Sequence, residues 1–215
     1  MTRAVVFDLF ETLVDYDDTR SREFGAAVAG LCGREPEEFQ RLWREGRPAR
    51  ETGPMAPYLA SLGIEAGAMG DFLELRREWT RSVLGRPRDG AIETLRELRE
   101  RGIGTGLITV CSEDVVDVWP ETPFAGHFDA EVFSCSCGLR KPDPRIYRLA
   151  LEELGVKARE AVFVGDGAND ELGGAERAGM RAILIHRSGA EPAEPEARAW
   201  RGPRITTVAG VLDHL

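Results

Sequence analysis

Asp8 closes the apolar run 4–7, and Asp166 follows the run 161–164 after a single glycine. Short apolar runs of this kind predict strands buried on both faces. In an open parallel sheet, ligands bind outside the carboxyl ends of the strands, near the point where the strand order reverses. Two carboxylates at such a place, with Asp170 four residues after Asp166, can hold a hard divalent cation. A few oxygen ligands, completed by water and substrate, suit Mg²⁺ better than zinc. Each aspartate alone also reads as a turn or helix cap, and it is the combination that points to a cation. Thr109 ends a third apolar run within GLITVCSED, and Lys141 lies in GLRKPDPRIY, just ahead of a helical pattern. A hydroxyl and an ammonium can both hold a phosphoryl group beside a cation. Lysine is a compact point charge and arginine a planar fork, so the two do not replace one another. The chain carries 26 arginines and 2 lysines, Lys141 and Lys157. A lysine at 141 runs against that bias, as a site requiring an ammonium would, although a solvated surface lysine also explains the position taken alone.

Elements must bring these residues together. Runs 4–7, 103–110 and 161–164 predict buried parallel strands, with further strands at 130–133 and 181–185. Helical patterns at 89–101, 142–154 and 170–178 alternate with them, which predicts an α/β fold built on a parallel sheet. Residues 16–88 differ: helical patterns at 19–32, 35–46 and 70–84 come without a convincing strand, and the segment is near neutral. It reads as an inserted helical domain, leaving 1–15 and 89–215 as the sheet-bearing core. Residues 190–203, rich in Pro, Ala and Glu, read as an exposed loop. The tryptophans at 43, 79, 119 and 200 read as core or interface anchors.

Composition bounds the function. The 215 residues are 42% hydrophobic and 30% charged, ordinary for a folded domain, with a formal net charge of −9. A nucleic-acid binder is more often basic, so nucleic acid is not the expected partner. No apolar run approaches the roughly 20 residues of a membrane span. The run after Arg3 is broken by Asp8 and does not read as a secretory signal, so a cytoplasmic location is expected. Four cysteines at 32, 111, 135 and 137 are then expected to be reduced and structural. The single residue between Cys135 and Cys137 does not fit usual zinc or redox spacing. The glycine-rich segment from Gly165 lacks G-x-G-x-x-G spacing, because Asp170 stands at the third glycine position.

Four segments in chain order, FDLFETLVD, LITVCS, RKPDPRIY and VGDGANDELGGAERAG, resemble the haloacid dehalogenase-like hydrolase superfamily over nearly the whole chain. The resemblance implies a Rossmann-like parallel-sheet core with an α-helical cap inserted between the first two motifs. It implies that Asp8 is a nucleophile forming an aspartyl phosphate, with Thr109 and Lys141 holding the transferring group. It further implies Mg²⁺ held by Asp8, the backbone carbonyl of Phe10 and Asp166, with Asp170 a ligand through water or a supporting group. Thr12 is expected to orient Asp8 or to cap the turn. Arg47 and Arg50, near a loop broken by Pro48 and Gly53, are candidates for a second anionic group on a substrate.

One position departs from the pattern. Phosphatases of the superfamily usually carry a second aspartate two residues after the nucleophile, which protonates the leaving oxygen and then activates water. Here that residue is Phe10. Such acid–base help is typically worth about 10²–10⁴-fold. Glu11 is the adjacent ionisable group. The family's dehalogenases carry an aromatic residue at this position and use no metal, so a metal-independent 2-haloacid dehalogenase is the alternative. Against it, Asp166 beside Asp8 would be repulsive without a cation. A weakly active or non-catalytic phosphate-binding protein is the third reading. The expectation is a Mg²⁺-dependent phosphatase acting on a small organic phosphate, as a monomer or homodimer.

Overall fold

The structure is a computed structural model that describes residues 1–16, 18–186 and 194–215, with the side chains of 18–21 left aside. Strands β1 (Ala4–Phe7), β2 (Gly104–Thr109), β3 (Ala130–Phe133), β4 (Ala161–Gly165), β5 (Arg181–Ile185) and a short β6 (Arg204–Ile205) form one sheet. Its order is β3-β2-β1-β4-β5-β6, and all pairings are parallel. Every β1 side chain is fully buried, which is why the strand reads as an unbroken apolar run. The two-residue period divides these side chains between two core layers. Val5 and Phe7 pack with Leu107 and Val164 on one face, and Ala4 and Val6 pack with Ile108 and Phe163 on the other.

The strand order places the reversal at β1. The chain runs outward from β1 through β2 and β3, then crosses to β4 on the other side. Phe7 is in register with both Leu107 and Val164, and the Asp8 amide donates to the Val164 carbonyl at 2.9 Å. The residues that leave the carboxyl ends of β1, β2 and β4 therefore meet on one rim.

Helices α6 (Ala91–Glu100), α9 (Pro144–Glu153) and α10 (Glu171–Arg177) form inside the expected segments. Between β1 and α6 stand α1 (Asp18–Leu31), α2 (Pro36–Glu45), α3 (Arg47–Arg50), α4 (Met55–Ser61) and α5 (Ala66–Leu84), with no strand among the described residues. Aromatic contacts bind these helices together: Trp43, stacked on Phe39 within α2, meets Phe72 of α5 at 5.7 Å, and Trp79 of α5 meets Phe24 of α1 at 6.1 Å.

Two expectations need correction. Arg47 and Arg50 do not lie on a loop but on the single-turn helix α3, which has Pro48 in its first turn, where proline loses no helical hydrogen bond. Of the loop expected at 190–203, residues 190–193 lie outside the described residues. The rest contains α11 (Pro195–Ala199), whose Ala197 is fully buried against the sheet layer.

A buried polar junction ties the inserted helices to the core. Asp114, at the start of α7 (Glu113–Val118), lies 3.0 Å from the Arg76 guanidinium of α5. It also accepts hydrogen bonds from Thr80 and, at 2.7 Å, from Ser112. Arg76 lies over the Trp79 ring at 4.1 Å. Both charges are almost wholly buried, so removing one strands the other. Asp114→Ala is expected to lower unfolding stability by about 3–5 kcal/mol, read from the midpoint of urea denaturation. A loss under about 1 kcal/mol would show that this junction does not hold the two parts together.

Candidate active site

Four chain segments deliver the groups at the rim. The Lys141 side chain, from the loop entering α9, donates to the Asp8 carboxylate beyond β1 and to Glu171 at 2.5 Å at the start of α10. Asp8, Asp166 and Glu171 each present a carboxylate oxygen such that all three lie within 4.8 Å of one another. Lys141 is 6% exposed, Asp8 6% and Glu171 1%.

The spacing in the sequence favours Asp170, whereas the structure brings Glu171 into the cluster. The backbone decides between them. Asn169 and Asp170 both adopt the left-handed conformation, with φ of 53° and 56°, which asparagine and aspartate tolerate better than most residues. This double turn starts α10 with Glu171 among the buried charges and leaves the Asp170 carboxylate paired with Arg177 at 2.8 Å. Gly165 makes room for it, since a Cβ there would lie 2.1 Å from a Glu171 carboxylate oxygen. The Gly167 amide donates to that carboxylate at 3.0 Å, from a φ of 85° that glycine adopts without strain.

The cluster carries three carboxylates and one ammonium. Burial opposes every charge in it. For Lys141 the carboxylates of Asp8 and Glu171 outweigh burial and hold the ammonium above its usual value. For Asp166, burial and then the neighbouring Asp8 charge push the carboxyl above its usual range. For Glu171, burial dominates and pushes its carboxyl well up, despite Lys141. Two like charges about 5 Å apart repel by roughly 3–4 kcal/mol at an effective dielectric near 20. The donor set is all oxygen, buried and short of positive charge, and so fits a hard divalent cation. The Thr12 and Thr109 hydroxyls are also fully buried, and neither finds a hydrogen-bond partner among the described residues. An unmet buried hydroxyl costs about 1–3 kcal/mol, which an anionic ligand accepting from it would recover.

The remaining candidates are placed differently. Phe10 is half-buried, its ring edge-on to Tyr16 at 6.3 Å. Glu11 does not stand in for the missing acid. Its φ of 59° turns the chain, and its carboxylate is held by Arg88 at 3.2 Å and by the Tyr16 amide. Arg50 is buried within the inserted helices, over the Trp43 ring at 4.1 Å, and donates to the Trp43 carbonyl. Burial pushes its pKa down to about 10. Arg47 pairs with Glu51 at 3.4 Å, and Glu51 reaches across to Arg140 at 2.8 Å, beside Lys141. Among the described residues no hydrogen bond or ion pair joins Arg47 or Arg50 to Asp8, Thr109 or Lys141.

Comparison with known proteins gives a consistent result. Residues 2–179 match the model of a family described as haloacid dehalogenase-like hydrolase. A phosphatase of Mycobacterium tuberculosis is 34% identical over 194 residues, covering 86% of this chain and 88% of that protein. The chain spans less than half the length of two further curated phosphatases that it matches. Among solved structures, a phosphatase of the same family from Thermococcus onnurineus superposes with a TM-score of 0.76 at 22% identity, covering 100% of this chain and 97% of that one. A 2-haloacid dehalogenase from Pseudomonas syringae superposes with a TM-score of 0.73 at 26% identity, covering 99% and 97%.

The charge imbalance fixes a pH dependence. Carboxyls raised in the folded state hold protons that the unfolded chain releases, so folding loses stability as pH climbs past their ordinary values of 3.8 and 4.5. Without divalent cation, the melting temperature is expected to fall from about pH 5 to about pH 8. Millimolar Mg²⁺ should raise it, more at the higher pH, through binding to the folded state. Glu171→Gln should raise the metal-free melting temperature at pH 8 and weaken Mg²⁺ binding about 10-fold or more. A melting temperature at pH 8 that ignores both Mg²⁺ and Glu171→Gln would contradict the assignment of the cluster.

Proposed function

The chain belongs to the haloacid dehalogenase-like hydrolase family, and on that premise we propose that it is a Mg²⁺-dependent phosphatase of a small organic phosphate, with Asp8 as the nucleophile. The observation that carries this reading is the buried Lys141 ammonium in contact with Asp8, inside a cluster of three carboxylates. A carboxylate can attack a phosphate only if their mutual repulsion is offset. Bound Mg²⁺ supplies that charge compensation. Asp8, Asp166 and Glu171 are the side chains that would hold it, together with the Phe10 carbonyl, while Asp170 supports from its ion pair with Arg177. Lys141 orients Asp8 and neutralises one charge, and the Thr109 and Thr12 hydroxyls donate to phosphoryl oxygens. Asp8 attacks phosphorus and the ester oxygen leaves with the bonding electrons. Water then attacks the phosphorus of the aspartyl phosphate and releases inorganic phosphate and the Asp8 carboxylate.

Phe10 shapes what the site accepts. With no carboxyl at position 10 and Glu11 held by Arg88, neither of these residues gives the leaving oxygen a proton. A leaving group that departs as a stable anion therefore suits this chain better than a simple alkoxide. The inserted helices act as the cap domain, residues 16–88 over a core of 1–15 and 89–215, and exclude water from the rim. The proposed setting is the cytoplasm.

The dehalogenase reading draws on the aromatic residue at position 10 and the likeness to the Pseudomonas protein. Asp166 and Glu171 beside Asp8 weigh against it, since attack on a carbon–halogen bond gains nothing from two further buried carboxylates.

A panel of phosphate esters and 2-haloacids, each with and without Mg²⁺, separates the readings. Phosphate release that requires Mg²⁺ is the expected result, and halide release without metal would overturn it. Asp8→Asn is expected to abolish turnover, and undiminished activity would remove Asp8 from its role. Phe10→Asp should raise turnover of alkyl phosphates by up to about 10²-fold while changing aryl phosphates little. A folded variant with no such gain would count against the missing-acid explanation. Mg²⁺ with beryllium fluoride should raise the melting temperature of the parent protein and not that of Asp8→Ala. Equal stabilisation of both would favour a non-catalytic phosphate binder.

A further inference from the structure

We propose that Cys111 and Cys135 are an oxidation site, a thiol pair that peroxide converts to a disulfide, and that this bond disables the adjacent phosphoryl-holding loop. Their sulfur atoms lie 3.9 Å apart. Cys111 stands two residues beyond Thr109 on the loop leaving β2, and Cys135 lies in α8 (Ser134–Cys137), which leaves the neighbouring strand β3. The two loops are already joined at this point: the Cys111 amide donates to the Ser134 hydroxyl at 2.9 Å, and that hydroxyl lies 3.2 Å from the Cys111 carbonyl. From 3.9 Å the sulfurs must close by about 1.9 Å to reach the roughly 2.05 Å of a disulfide, a step that pulls two already joined loops closer together.

The two thiols are unequal in a way that assigns their parts. Cys111 is 4% exposed and burial holds its thiol well above the usual range, whereas Cys135 is half-buried. The contact from Cys111 lowers the Cys135 thiol, against burial and the nearby charges of Asp114 and Glu113. Cys135 is thus the thiolate that meets an oxidant, and Cys111 the resolving thiol. The Cys135 thiolate attacks one oxygen of hydrogen peroxide, the O–O bond breaks, and with one proton the second oxygen leaves as water. The Cys111 sulfur then displaces hydroxide from the sulfenic acid, the Cys111 proton leaves with it as a second water, and the S–S bond forms. Two electrons pass from the thiol pair to peroxide. Cys137 takes no part, since its sulfur faces the Ser134 and Leu139 carbonyls at 3.8 and 3.9 Å.

Closing the bond draws Cys111 toward α8 and moves the chain that carries Thr109. A shift of about 1 Å at a catalytic centre can cost 10²-fold. The loss of activity rests on the phosphatase reading, whereas formation of the disulfide does not. The test treats the full chain with equimolar hydrogen peroxide, counts thiols after denaturation, and maps the bond. Trypsin leaves Cys111, Cys135 and Cys137 in the single peptide 102–140, so cleavage at glutamate, which separates Cys111 from the other two, is required. The four thiols should fall to two, with the Cys111 peptide cross-linked to the peptide carrying Cys135. The cross-link should vanish in Cys135→Ser and persist in Cys137→Ser. Phosphate release should fall about 10-fold or more and return with dithiothreitol, and Cys135→Ser should be insensitive. Survival of four thiols, a cross-link that persists in Cys135→Ser, or sulfinic acid at Cys135 with Cys111 still free would overturn the pair. A mapped disulfide with undiminished phosphate release would overturn its effect on the site. A reduced protein without phosphatase activity would instead fail the reading beneath it, with the thiol count still decisive for the pair.

Discussion

A buried ammonium between two carboxylates is the constraint from which the rest of the site follows. Lys141 is held by Asp8 and Glu171, with Asp166 close enough to add a third negative charge. Charges in such surroundings are tolerated only when paired. The pairing requires four separate stretches of chain to converge: the ends of β1 and β4, the approach to α9 and the start of α10. A parallel sheet whose order reverses at its central strand performs that convergence, and the registers of Phe7 with Leu107 and Val164 align the ends. The local backbone follows the same demand. Gly165 leaves room for the Glu171 carboxylate, and two consecutive left-handed residues turn Glu171 inward.

The inserted helices are fastened to the same rim by polar contacts. Asp114 joins α5 to the loop that leaves β2, Glu113 accepts from the Met55 amide at 2.6 Å, and Glu51 reaches Arg140, the neighbour of Lys141. The loop leaving β2 and the approach to α9 are thus both tied to the inserted helices. The Cys111–Cys135 contact lies in this belt rather than in the reacting centre. A bond made there is felt at Thr109 without consuming any group that would hold the phosphoryl.

Much of this was legible in the sequence for one reason: strands buried on both faces must be apolar throughout, so the polar residue at which a run stops marks the rim. Asp8, Thr109 and Asp166 announce themselves in that way, and Lys141 does so by being a lysine in an arginine-rich chain. Glu171 does not. Whether residue 170 or 171 turns inward depends on the φ angles of Asn169 and Asp170, which only the packed structure fixes. The one signal for it was a second acid immediately after the expected one. Arg50 misleads for the converse reason, since a guanidinium laid over Trp43 has the same sequence signature as one open to a substrate. The pair β6 and α11 is too short to carry a period, and the fate of Glu11 depends on Arg88, far along the chain.

The central claim is that Asp8, poised by Lys141, carries the phosphoryl group. Its most direct test is acid quenching of the protein during turnover of an aryl phosphate with Mg²⁺, followed by peptide mass analysis. The account predicts a peptide containing Asp8 that is heavier by one phosphoryl group, with fragmentation placing it on Asp8. Steady hydrolysis without that adduct, or with the adduct on another residue, would contradict it.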